Sequence, residues 1–151
     1  MKSWYNLFLV LTLLVAQAFY SQAVFTSKGG NWNATNTWTL TSGTDADGIP
    51  DADDAVIIKA NTVTVNVNAT CASLTTEPLA NNTSGLSTTI STTNAAIITV
   101  NTGKLLTITG DFFIKPSDSN NHTTILNGPG SVTAGSLTIG NDIAVSSART
   151  T

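Results

Sequence analysis

Beyond residue 54 the chain alternates apolar and hydroxyl-bearing side chains in short runs, as in Thr62-Val63-Thr64-Val65-Asn66-Val67, and nowhere sustains a helical period. Successive side chains of an extended strand point to opposite faces, so this alternation builds strands with one apolar face, whereas a helix would scatter the same residues around its circumference. Runs of this kind cover 55–59, 62–67, 71–75, 96–100, 104–109, 112–115, 123–126, 131–133, 137–139 and 143–145. Turn-forming clusters separate them, among them Asn101-Thr102-Gly103, residues 116–121 and Gly128-Pro129-Gly130. The expected fold is all-β, made of many short strands.

A weak internal repeat narrows the architecture. Leu74-Thr75-Thr76, Leu106-Thr107-Ile108 and Leu137-Thr138-Ile139 recur at spacings of 32 and 31 residues. The last two precede Thr109-Gly110-Asp111 and Gly140-Asn141-Asp142. A recurring strand with a recurring turn is what stacked coils need, because each coil buries its inner face only against its neighbours. A parallel β-helix or solenoid-like stack over 55–147 is therefore expected, with a β-sandwich as the alternative.

The first 23 residues have the layout of a secretory signal peptide: Lys2 near the start, an apolar run from Leu7 to Ala16, and Ser21-Gln22-Ala23 as a small-x-small cleavage site. Cleavage is expected after Ala23, with Ala18 as the second choice. The apolar run falls short of the roughly 20 residues that span a bilayer, and no later segment is apolar enough to do so. Without Lys2 the chain has 5 basic against 9 acidic residues, a formal charge of -4. No basic surface is available to a phosphate backbone, which argues against a nucleic-acid partner. The expected address is secreted or outer cell surface.

Catalytic chemistry is hard to assemble from these residues. Cys71 is the only cysteine, in a strand-like stretch where it packs as a small apolar residue, and the only histidine, His122, lies in a polar loop. Past residue 54 the carboxylates are Glu77, Asp111, Asp118 and Asp142; Asp111 and Asp142 follow equivalent strands and could share one edge of the stack, but are read as turn residues. Phosphate-binding glycine loops, nucleophile elbows and zinc-helix motifs are missing from the sequence. The chain is not expected to be an enzyme.

Two features of the stretch 24–54, expected to form an N-terminal cap, are candidates for binding. Exposed indoles at Trp32 and Trp38 would cover the apolar face of a sugar ring while Asn31, Asn33 and Asn36 bonded its hydroxyls. The competing role is a seal, with the aromatics packed on the first coil. The acidic turn from Asp45 to Asp54 resembles a single calcium-binding thrombospondin type 3 repeat, in which Asp45, Asp47, Asp51 and Asp53 would supply hard oxygen ligands. Its competing role is a solvated turn, fixed by Pro50, whose carboxylates bond nearby amides. No other cofactor is suggested.

Taken in order, Asn31-Trp32, Thr37-Trp38, Gly48-Ile49-Pro50, Asp53-Asp54-Ala55-Val56-Ile57-Ile58, Thr62-Val63-Thr64-Val65, Cys71-Ala72-Ser73-Leu74 and Leu105-Leu106-Thr107-Ile108-Thr109-Gly110-Asp111 look like the N-terminal region of large secreted surface proteins of the Bacteroidetes. Those proteins are similar in turn to the eight-glycine extracellular domain. The resemblance implies a β-helical module, export by a general signal followed by the type IX route, and a role in adhesion, gliding or glycan contact. Such proteins are usually longer and carry a C-terminal sorting domain, which the closing residues 148–151 do not resemble; a fragment with a frayed end is expected.

The functional expectation is a structural or adhesive surface module that contacts an extracellular glycan or surface protein, with edge-to-edge self-association through an uncapped strand. The alternative is the non-catalytic leader domain of a longer polysaccharide-degrading enzyme.

Overall fold

The computed structural model describes residues 22–78, 94–115 and 124–140. The chain runs through β1 (Val24–Ser27), β2 (Gly30–Asn31), a single 3-10 turn (Thr35–Thr37), β3 (Trp38–Ser42), β4 (Ala55–Ile58), β5 (Thr62–Val65), β6 (Ala69–Cys71), β7 (Ser73–Thr76), β8 (Ala96–Val100), β9 (Leu105–Ile114), β10 (Thr124–Asn127) and β11 (Ser131–Ile139). The fold is all-β, with one mixed seven-stranded sheet and one parallel four-stranded sheet. Among the described residues no helix is long and apolar enough to cross a membrane.

Three parallel ladders organise these strands. The first joins β1, β4, β7, the second half of β9 and the second half of β11. The second joins β2, β5, β8 and β10. The third joins β6, the first half of β9 and the first half of β11. From β4 onward the chain visits the ladders in a fixed order: β4, β5, β6; then β7, β8 and the start of β9; then the end of β9, β10 and the start of β11. Among the described strands only β3 runs against its neighbour, pairing with β1 at the edge of the first ladder.

Strict register carries the core. Phe25, Val56, Leu74, Phe112 and Leu137 are successive partners in the first ladder. Val63, Ile98 and Leu126 are partners in the second, and Ala69, Leu106 and Val132 in the third. The interior members of these columns are buried, and each buried aliphatic side chain contributes about 1.5–3 kcal/mol. Corner residues complete the backbone pairing: the Leu105 amide donates to the Asn68 side chain at 3.1 Å, and the Asn61 amide group donates to the Ser27 carbonyl at 3.0 Å.

Within the stretch 24–54, expected to form an N-terminal cap, β1 pairs with β4 and belongs to the first ladder. Ala23, assigned to the leader, is buried, and its carbonyl accepts the Ala55 amide at 2.9 Å; removing it would strip a ladder bond. Gly110 does not turn the chain but bends β9 through a corner, where its N–H bonds the Ala72 carbonyl at 2.8 Å and a Cβ would come within 2.7 Å of the same oxygen. The repeat was also misaligned: Leu106 stacks on Ala69, and the residue that stacks on Leu74 is Phe112. The expected strand at 143–145 and the loop containing His122 and Asp118 lie outside the described residues, as do Asp142 and most of the leader.

Two substitutions test this packing. Leu74→Ala opens a void between circuits and should cost about 2–5 kcal/mol in urea unfolding. Gly128 has φ +98, and a Cβ there would collide with the Val100 carbonyl; Gly128→Ala should cost about 1–3 kcal/mol in the same assay.

Candidate functional site

The chain leaves the second ladder after β2 and returns to the first at β4, and the excursion between them holds all the candidate ligand residues except Asn31, which ends β2. Thr37 anchors its start, donating its buried hydroxyl to the Asn31 carbonyl at 2.7 Å. Trp38 donates its indole N–H to the Trp32 carbonyl at 2.8 Å, and Trp32 donates its own to the Pro50 carbonyl at 3.3 Å. The two indoles meet edge to face with centroids 5.0 Å apart, and Phe25 meets Trp38 in the same manner at 6.4 Å. Such aromatic pairs add about 0.5–1.5 kcal/mol beyond the area they bury.

This geometry decides the role of the tryptophans. Trp32 is 1% exposed and Trp38 3% exposed, so neither has a free face for a sugar ring. Stacking on a glycan is corrected to a seal over the first circuit, since Phe25 at the head of the first ladder would otherwise meet water. Asn31, Asn33 and Asn36 are exposed. Asn33 is held by the Asn66 side-chain amide at 2.9 Å and lines a shallow groove of about 340 Å³ with Trp32, Pro50, Asp51, Asn68 and Thr70.

The acidic turn is built largely by its own carboxylates. Asp45 accepts the Asp47 amide at 3.0 Å and also the Gly48 amide, and Asp47 accepts the Ile49 amide at 2.9 Å. Asp54 accepts the Asp51 amide at 2.9 Å, and Asp51 accepts the Asp53 amide at 3.2 Å. These are local side-chain-to-backbone bonds that hold a turn without a regular ladder.

Of the four expected ligands, Asp45 and Asp51 converge, and the third member of their cluster is Asp54. One oxygen from each lies within 4.8 Å of the others, an arrangement that could hold a metal ion. Asp47 and Asp53 are not in this cluster and remain exposed. The sequence carries a signal for Asp54: it directly precedes β4, two residues before Val56 and four before Ile58, so it continues their inward alternation, and it is buried with them. Burial pushes the Asp54 carboxyl above the usual carboxylate range; the Asp51 amide opposes this, and the charges of Asp51, Asp45 and Asp53 add to it. Asp51 is raised chiefly by its side-chain hydrogen bond with Asp53.

Cys71 is fully buried in the third ladder. Loss of solvent, with a smaller contribution from the Asp54 charge, pushes its thiol up to about 12. The thiolate needed by a nucleophile is therefore suppressed at neutral pH.

Comparison of the chain with protein-family models, with curated proteins and with solved structures finds no match.

Two measurements test the electrostatics. The raised carboxyls of Asp51 and Asp54 hold protons more tightly in the folded chain than in the unfolded one. Their stabilising effect is complete below the unfolded carboxylate pKa, about 4, and is lost as pH rises through the folded values. Asp54→Asn keeps an oxygen for the Asp51 amide and should reduce this decline in urea melts. Iodoacetamide at mildly alkaline pH should leave Cys71 unmodified in the folded chain and alkylate it once urea unfolds the protein.

Proposed function

We propose that this protein is a secreted or cell-surface structural and adhesive module, a solenoid-like stack whose ladders form a stiff scaffold and whose excursions contact extracellular partners. The observation that carries this reading is the ordered return of the chain through three parallel ladders. A sandwich packs its core between two antiparallel sheets; the parallel pairing of the three ladders favours a stack of circuits instead. The leader layout and the resemblance of residues 31–111 to exported Bacteroidetes surface proteins support the address. The inert position of Cys71 supports a structural rather than a catalytic role.

Within this reading the groove beside Asn33 is the contact for a glycan. Amide, carboxylate and hydroxyl groups of Asn33, Asn68, Asp51 and Thr70 would bond sugar hydroxyls there, and the indole of Trp32 supports the groove from within. Export would remove the leader after Ala18, in the small-x-small sequence Ala16-Gln17-Ala18, which leaves the buried Ala23 in the folded domain.

N-terminal sequencing of the exported chain should begin at Phe19, and retention in the cell interior would sink the address. Insoluble polysaccharides should retain the purified protein. Asn33→Ala should weaken retention without changing the thermal midpoint, and equal retention of the two proteins would remove the glycan reading.

Calcium is a second reading for the acidic turn, favoured by the convergence of Asp45, Asp51 and Asp54. A hard cation would offset their mutual repulsion and take its remaining oxygens from water or backbone. Millimolar calcium should then raise the thermal midpoint at neutral pH, and Asp51→Asn should abolish the rise. An unchanged midpoint, with no heat on titration, would leave the carboxylates as turn builders alone.

A further inference from the structure

The groove between the acidic turn and the corner after β5 presents polar groups whose hydrogen-bonding sense is fixed by the fold. A backbone amide can only donate, so the Leu105 N–H bond to Asn68 at 3.1 Å uses the Asn68 side-chain oxygen and leaves its NH2 group over. The Asn66 side-chain amide donates in the same sense to the Asn33 oxygen at 2.9 Å, and there too the NH2 group is left over. Among the described residues neither NH2 group has a partner, and both asparagines are exposed and line the groove.

Opposite them the lining offers an acceptor. An ionised carboxylate accepts only, at about four lone-pair sites, and Asp51 spends one on the Asp53 amide at 3.2 Å. Pro50 and Val67 supply apolar wall, Thr70 adds a hydroxyl, and no lysine or arginine lines the groove. Two donors and one acceptor beside an apolar wall are the complement of a secondary amide that carries a small alkyl group. Its carbonyl oxygen accepts, its N–H donates, and its methyl group gains by leaving water.

We infer that the groove recognises the acetamido group of an N-acetylated amino sugar; the inference rests on the glycan reading above and names the class of sugar. The acetamido oxygen takes the NH2 group of Asn68 or Asn33, its N–H donates to Asp51, and its methyl group packs on Pro50 and Val67. Thr70, both donor and acceptor, serves a ring hydroxyl. Other sugars match this set less well. A uronate would bring a second negative charge to a groove whose one charged lining residue is Asp51. A free amino sugar would set an ammonium group against two NH2 donors, and a plain hydroxyl would leave the apolar wall unused.

Chitin, cellulose and chitosan test this, because they share one backbone and differ at one ring position, where they carry acetamido, hydroxyl and ammonium groups. With a calcium chelator present, chitin should retain the full exported chain about tenfold more strongly than cellulose does. Oligomers of N-acetylglucosamine should elute it where oligomers of glucose do not. Asn68→Asp keeps an oxygen for the Leu105 amide and removes the donor, and Asn33→Asp does the same for Asn66. Each should weaken chitin retention about tenfold at an unchanged thermal midpoint. Asn127→Asp makes the same charge change at an exposed asparagine outside the groove and should leave retention as it was. If Asn68→Asp lowers the midpoint, Asn33→Asp decides the matter alone. Equal retention on chitin and cellulose, or stronger retention on chitosan, would overturn the acetamido inference and leave the glycan reading standing. Undiminished retention of both donor variants would overturn it by placing the contact outside this groove. Retention on none of the three would overturn it as well, and the glycan reading falls with it only if other insoluble polysaccharides also fail to hold the protein.

Discussion

The core of this molecule depends on parallel register. Leu74 is flanked in its sheet by Val56 on one side and Phe112 on the other, its partners in a parallel ladder, and shares one buried core with Val63 and Ile98 of the four-stranded sheet. A one-residue slip in any circuit would turn its inward column outward and strip cover from two neighbours at once. That dependence accounts for the composition. Inward positions are taken by Val, Ile, Leu and Phe, outward positions by Thr and Ser, and corners by Asn and Gly, which leaves little place for charge in a chain with 10% charged residues.

Polar residues at the corners do for the backbone what apolar columns do for the core. Where the chain leaves one ladder for the next, its amides lose their strand partners, and buried amides without partners are costly. Asn61 and Ser27 bond each other and the surrounding backbone, Asn68 takes the amide of Leu105, and Thr76 and Thr124 join hydroxyls at 2.9 Å. A single ion pair, Lys115 with Glu77 at 3.1 Å, joins two circuits among the described residues. It is exposed, a setting in which such pairs contribute about 0–1 kcal/mol, so the ladders depend on hydrogen bonds and apolar contact.

The strands that could be read from the sequence were those with alternation longer than a few residues. β4, β5, β8 and β10 lie within a residue or two of their expected bounds. β1 and β2 escaped because four and two residues hold too little alternation to register, and β3 escaped because its exposed Thr39, Thr41 and Ser42 face water on both sides. The fused lengths of β9 and β11 were hidden by Gly110 and Gly135. A glycine in a strand signals a turn from sequence, yet here it marks a corner where another backbone passes too close for a side chain. The repeat misled for a related reason. Circuits differ in length, so a constant spacing of Leu-Thr motifs does not follow the ladders. The excursion was legible in its chemistry but not in its contacts: the aspartates and tryptophans stood out, while the burial of both indoles and the entry of Asp54 into the acidic cluster depend on how 32–54 folds back over β1.

That fold-back gives the molecule a direction. Large aromatic side chains bury about 150–250 Å² each, so Trp32, Trp38 and Phe25 close the first circuit with three residues where a further circuit would need a full set of strands. Their indole N–H groups bond backbone carbonyls of Trp32 and Pro50 within the same excursion, which ties the seal to the acidic turn. The turn is in turn fixed to β4 through Asp54, whose carbonyl accepts the Ala72 amide and whose carboxylate accepts that of Asp51. Sealing and surface chemistry therefore share one segment. A change that loosens the indoles must also disturb the groove beside Asn33, because Trp32 lines it.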